Sequence, residues 1–184
     1  IYDIPMSQSP LPRLHDKVCI ITGAGSGIGR GSAQLFGEHG ALLVLVDRDQ
    51  AALDATQALL GSAAHAVAAD VSCAEDIARV IDTAITAHGR IDVVFNNAGI
   101  MTHGDLRGFA ERDWDEVMDI NVKGMFLMCK AVMPHMLAAG RGSIVNTSSV
   151  MATLTEPGYE AYTASKAAVI GLSKAIAVSY AEHG

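Results

Sequence analysis

The sequence predicts a doubly wound α/β fold, a parallel sheet with helices on both faces, and three observations carry that prediction. Short apolar runs alternate with helix-period stretches from Lys17 onward. The runs are apolar at consecutive positions, as in Leu42 to Val46, which suits strands covered on both faces. A glycine-rich turn joins the first run to the first helical stretch, and right-handed crossovers place it at the carboxyl edge of the sheet, where open α/β sheets bind ligands.

Lys17 to Ile21 is the first strand, ending in Thr-Gly; a helix follows from Ile28 to about His39, with Ala33, Leu35 and Phe36 as its inner face. Leu42 to Val46 reads as strand, Gln50 to Leu60 as helix, His65 to Ala69 as strand, Ala74 to His88 as helix and Ile91 to Phe95 as strand. A helical region around Ala110 to Met118 precedes a longer helix from Ile120 to about Ala138. Ser143 to Asn146 is the fifth strand, and Tyr159 to about Ala181 the last helix. Neither an internal repeat nor a low-complexity segment interrupts this order.

At 184 residues, half of them apolar, the chain suits one domain. Residues 1–12 carry Pro5, Pro10 and Pro12 among small polar residues and read as a flexible arm, with Met6 as a natural start and residues 13–184 as the domain. A formal charge of −7 without a basic patch argues against nucleic acid as partner, and no apolar run approaches membrane-spanning length. Cys19, Cys73 and Cys129 are odd in number and lack CxxC spacing, so a reducing cytoplasm is expected. The seven histidines show no ligand spacing, and no metal site is expected.

The turn runs Thr22-Gly23-Ala24-Gly25-Ser26-Gly27-Ile28-Gly29, with the spacing Gly23-xxx-Gly27-x-Gly29 in place of GxGxxG. Bare backbone N–H groups and the positive end of the following helix suit a pyrophosphate, and glycine permits its close approach. Asp47 closes the second strand 18 residues beyond Gly29, placed to accept from the adenosine ribose hydroxyls, or else to cap the next helix. A carboxylate there repels a 2′-phosphate, and Ser26 brings no cation, so NAD is expected over NADP; Arg48 and Arg30 favour the reverse.

Tyr162 and Lys166 are four apart, on one face of a helix. Together with Thr22 to Gly29, Asn96-Asn97-Ala98-Gly99, Asn121, Ser149 and Tyr162-Thr163-Ala164-Ser165-Lys166, the ordered set resembles the short-chain dehydrogenase/reductase family from about Lys17 onward. The resemblance implies a Rossmann-like fold and an oxidoreductase that moves hydride between NAD(H) and a secondary alcohol or ketone. It makes Tyr162 the acid/base, Lys166 the cation that favours its phenolate and a donor to the nicotinamide ribose, and Ser149 the group that orients the substrate oxygen. Ser148 is the rival, and the family's offset of 13 from serine to tyrosine selects Ser149.

The same resemblance gives Asn121 a proton-relay water, against a capping or kinking role in its helix. It gives Asp70 and Val71 the adenine, against a strand-end turn for Asp70, and sets Asn97, with Ala98 and Gly99, on the other side. For Asn96 and Asn97 a structural role in the sheet stands level with cofactor contact. His103, Met151 and Glu156 fall on loops at the substrate side. Relatives of this type continue through a further strand, a Pro-Gly loop and a substrate-covering helical segment, which the 184 residues are expected to lack. Two other readings follow: a catalytically incompetent NAD-binding fragment with a partner on its open sheet edge, or an NAD-dependent epimerase or dehydratase. The two long C-terminal helices resemble those through which the family forms homodimers and homotetramers.

Overall fold

The computed structural model describes residues 12–183, so all but Pro12 of the expected arm lies outside the described residues. Five strands, β1 (Val18–Thr22), β2 (Leu42–Asp47), β3 (Ala64–Ala68), β4 (Val93–Asn96) and β5 (Ser143–Asn146), form one sheet in the order β3-β2-β1-β4-β5. Every pairing is parallel. Six α-helices connect and follow them: α1 (Gly27–Glu38), α2 (Gln50–Leu60), α3 (Ala74–His88), α4 (Glu111–Met118), α5 (Gly124–Ala139) and α6 (Glu160–Tyr180). The chain steps outward from β1 to β3, then returns to the other side of β1. That reversal opens a crevice above the carboxyl ends of β1 and β4.

Alternate residues of the central strands feed two cores. Ile20, Val44, Val46 and Val94 pack with Ile77 and Val80 of α3 and Met128 and Val132 of α5. Cys19, Ile21, Leu43 and Leu45 point the other way, onto Ala33 of α1 and Leu53 of α2. This two-sided burial is the reason the strands read as continuous apolar runs. On the edge strand β5 it fails, where Val145 is 47% exposed.

Two helical expectations need correction. Leu35 is not part of the inner face of α1; it is 52% exposed, and Ala33 and Phe36 make the contact. The longer helix expected from Ile120 begins as α5 only at Gly124, because Asp119–Lys123 form a π-helical turn that continues from α4. Periodicity reports which residues face inward, and one widened turn shifts that phase without an extended break.

Burial pushes the Cys19 thiol up to about 12 and the Cys129 thiol to about 11, which keeps both protonated. Among the described residues no helix is long and apolar enough to cross a membrane.

His88, in the last turn of α3, stacks edge-on against His65 of β3 with ring centroids 5.2 Å apart, and its buried Nε2 has no partner among the described residues. A helix C-terminus favours a histidine cation. Desolvation first, and then repulsion from His65 and Arg90, outweigh this and hold His88 below the usual histidine range. The unfolded chain therefore takes up a proton near pH 6.5 that the folded chain resists, so stability is full above that pH and falls as the pH drops toward the folded value. Thermal melts of the protein and a His88→Phe variant at pH 7.5 and 5.5 test this. The wild type is expected to lose about 2 °C more than the variant on acidification, and equal losses would contradict the assignment.

Candidate active site

The crevice is a cleft of about 360 Å³ bounded by the glycine turn, the ends of β2 and β3 and the loop after β4. Gly23, Ser26, Gly27 and Ile28 form one wall; Asp47, Asp70 and Val71 form the far end; Asn97, Ala98 and Gly99 form the other wall. Gly29 does not line the cleft. It is buried beneath it, where a Cβ would stand 1.9 Å from the Gly23 carbonyl oxygen. At Gly23, φ +69°, a Cβ would meet Asn97 and Ala98, while at Gly27, φ +49°, there is open space where a Cβ would project. A glycine-rich turn, with Ser26 and Gly27 exposed at the start of α1, fits a pyrophosphate.

Asp47 does not cap α2; Asp49 does, accepting from the Ala52 N–H at 3.0 Å. One oxygen of Asp47 accepts from the Gly25 N–H at 2.9 Å, so this carboxylate also braces the turn. The two arginines separate here. Arg30 donates to Thr56 Oγ1 at 3.0 Å and to the Gly25 carbonyl, inside the turn, whereas Arg48 lines the cleft. Asp70 accepts from both the N–H and the hydroxyl of Ser72, at 2.8 and 2.7 Å, which is a strand-end turn, and it remains exposed at the cleft.

Thr22 is the residue that motif reading undervalued. Its buried hydroxyl accepts from the N–H groups of Asn97 and Ala98 at 2.9 and 3.0 Å, clasping the two walls together. Its position ending β1 was the available signal, but only the β1–β4 pairing reveals the clasp. Asn97 donates to the Thr22 carbonyl at 3.1 Å and lines the cleft, so it joins both proposed roles in one place. Asn96 is structural: buried, it donates to Asn146 at 2.9 Å across β4 and β5.

None of Tyr162, Lys166, Ser149 and Asn121 lines the cleft. Gly99 is the link, since a Cβ there would be 3.1 Å from Asn121 Oδ1 and 3.4 Å from Lys166 Nζ. Lys166 is buried, donates to the Thr147 carbonyl at 2.9 Å and stands 5.7 Å from the centre of the Tyr162 ring. Burial holds its ammonium below the usual lysine range.

The two serines are committed differently. Ser148 donates to the Lys166 carbonyl at 2.8 Å, whereas the Ser149 hydroxyl accepts from the Met151 N–H at 3.2 Å and keeps its proton to give. Asn121 is fully buried in the π-helical turn. Its oxygen accepts from the Ile100 N–H at 2.8 Å, and its amide donates to the Ile100 carbonyl at 2.9 Å and to Ser165 Oγ at 3.0 Å. It therefore ties the loop after β4 to α6. Among the described residues no three His, Cys, Asp or Glu side chains gather as metal ligands.

A family model described as short chain dehydrogenase matches residues 17–184. The chain is 41% identical over 166 residues to a 3-oxoacyl-(acyl-carrier-protein) reductase of Thermotoga maritima, covering 88% of this chain and 67% of that protein. It is 42% identical over 182 residues to a 2-keto-3-deoxy-L-fuconate dehydrogenase of Xanthomonas campestris, covering 98% of this chain and 59% of the other. The chain thus spans about three-fifths to two-thirds of these relatives' length. A 3-ketoacyl-(acyl-carrier-protein) reductase from Brucella melitensis, crystallised with NADH, superposes with a TM-score of 0.90 at 35% identity, over 92% of this chain and 72% of that one.

Proposed function

The chain belongs to the short-chain dehydrogenase family, and from that premise we propose that it transfers hydride between NAD(H) and a secondary alcohol or ketone, with Tyr162 as the acid/base. The observation that carries this reading is the buried Lys166 ammonium, held between the Thr147 carbonyl, the Tyr162 ring and Gly99 at the edge of the cleft. Nicotinamide, when bound, supplies the hydride acceptor or donor.

Each residue's task follows from its setting. Gly23, Ser26, Gly27 and Ile28 would hold the pyrophosphate, with Gly29 letting the turn pack close beneath them; Asp47 would hold the adenosine ribose and Asp70 with Val71 the adenine, while Asn97, Ala98 and Gly99 would close the other wall. The Asp47 carboxylate favours NAD by repelling a 2′-phosphate, and only Arg48 of the two arginines is placed to oppose it. An ordinary phenol titrates near pH 10, too high for acid/base work near neutrality, and a neighbouring cation favours its ionised form. Lys166 provides that charge in a partly desolvated site, where the attraction is stronger than in water.

Ser149 donates to the substrate oxygen and holds it for proton exchange with Tyr162. Asn121 has both amide hydrogens in use, so a relay water would rest on the second lone pair of its Oδ1 or on its backbone carbonyl. Homodimers or homotetramers built through α5 and α6 belong to the same reading, supported by exposed Phe126 and Leu137 on α5.

Incubation with NAD+ and a panel of secondary alcohols tests the reaction class. NADH is expected to appear one for one with ketone, and faster than NADPH forms from NADP+. Binding of NAD+ with no reduced cofactor from any alcohol would overturn hydride transfer in favour of a binding role or a redox-neutral reaction.

A further inference from the structure

Tyr162 is only as well placed as the start of α6, and that start is tied to the cofactor side of the molecule. The Thr163 N–H donates to the Tyr159 carbonyl at 2.8 Å, so the first turn of α6 is built on Tyr159. Tyr159 and Gly158 in turn meet the loop that follows β4. The Gly104 N–H donates to the Gly158 carbonyl at 3.0 Å, and the His103 and Tyr159 rings pack edge-on with centroids 4.9 Å apart. Gly158 is at φ +85°, and a Cβ there would lie 2.7 Å from His103 Nε2, so the imidazole occupies the space a larger residue would need. On the other side of the segment, Thr155 and Thr163 share a 2.6 Å hydroxyl contact.

The loop carrying His103 is fixed at its other end by Asn121, which holds both backbone groups of Ile100. Ile100 itself lines the nucleotide cleft. A continuous set of contacts therefore runs from the cleft wall through His103 to the turn that carries Tyr162. We propose that His103 is a positioning residue for Tyr162, acting through Gly158 and Tyr159 rather than by touching the substrate. This rests on the reading of Tyr162 as the acid/base. The latch needs an aromatic ring over Gly158 and against Tyr159, but not a titrating imidazole.

His103→Ala and His103→Phe, compared with the wild type, decide it. In His103→Ala, amide exchange at Thr163 is expected to quicken about tenfold while β1 amides stay unchanged. The same variant is expected to lose about tenfold in kcat, with KM and the NADH Kd within about twofold, because positioning is lost and binding is kept. His103→Phe should restore exchange and kcat together. Unchanged Thr163 exchange in His103→Ala would overturn the latch, as would a Phe variant with raised KM and normal exchange, which would make the imidazole a substrate contact. If the wild type reduces no cofactor, the acid/base reading fails, while amide exchange still decides the latch.

Discussion

Tyr162→Phe is expected to lower kcat by about 10²–10⁴-fold while leaving NADH affinity within about twofold. The variant keeps the ring that packs beside Lys166 and removes only the hydroxyl, so folding and the cleft, which Tyr162 does not line, should be undisturbed. On the proposed reading, what is lost is proton exchange with the substrate oxygen, which Ser149 can orient but not replace. Fluorescence titration of NADH together with steady-state turnover separates the two effects. Turnover within about tenfold of the wild type would remove Tyr162 from the chemistry and leave proton transfer to another group or to water.

Gly29→Ala should be the most damaging single methyl group in the cofactor region. An alanine is favoured over glycine in a helix by about 1 kcal/mol, which alone would stabilise α1. Here the added Cβ would meet the Gly23 carbonyl oxygen at 1.9 Å and its carbon at 2.6 Å, and both are backbone atoms of the turn itself. Overpacking of this kind costs about 1–3 kcal/mol or more, so the clash outweighs the propensity. The turn must open, and NADH affinity is expected to fall at least about tenfold with a melting temperature several degrees lower. Gly31→Ala, on the same helix with nothing within 4 Å of its Cβ position, is the counterpart and is expected to be neutral or stabilising. If the two variants melted alike and bound NADH alike, the packing of α1 against the turn would be wrong.

Both predictions draw on motifs that could be quoted from the sequence, yet their magnitudes come from contacts that could not. The glycine spacing singles out Gly29, but the same spacing treats it as equivalent to Gly23 and Gly27. The fold separates them: Gly27 faces the cleft, Gly23 the clasp with Asn97, and Gly29 the underside of the turn. Likewise Ser148 and Ser149 are neighbours of the same chemical type. The difference lies in which hydroxyl the Lys166 carbonyl captures, a contact spanning 18 positions in sequence.

The sequence by itself determined the fold class, the order of elements and their bounds to within two residues at every strand; for the central strands the reason is that a strand buried on both faces must be apolar throughout. It also singled out the glycine turn and the Tyr162–Lys166 spacing, which depend on local geometry along one turn or one helix, and Asp47, which the end of the second apolar run places. Tertiary structure alone decided what crosses between elements: the Thr22 clasp, the Asn121 tie within a π-helical turn, the outward-facing Leu35 and the His103–Tyr159 contact. Those contacts depend on the β3-β2-β1-β4-β5 order, which sets side by side segments that local propensity has no means of relating.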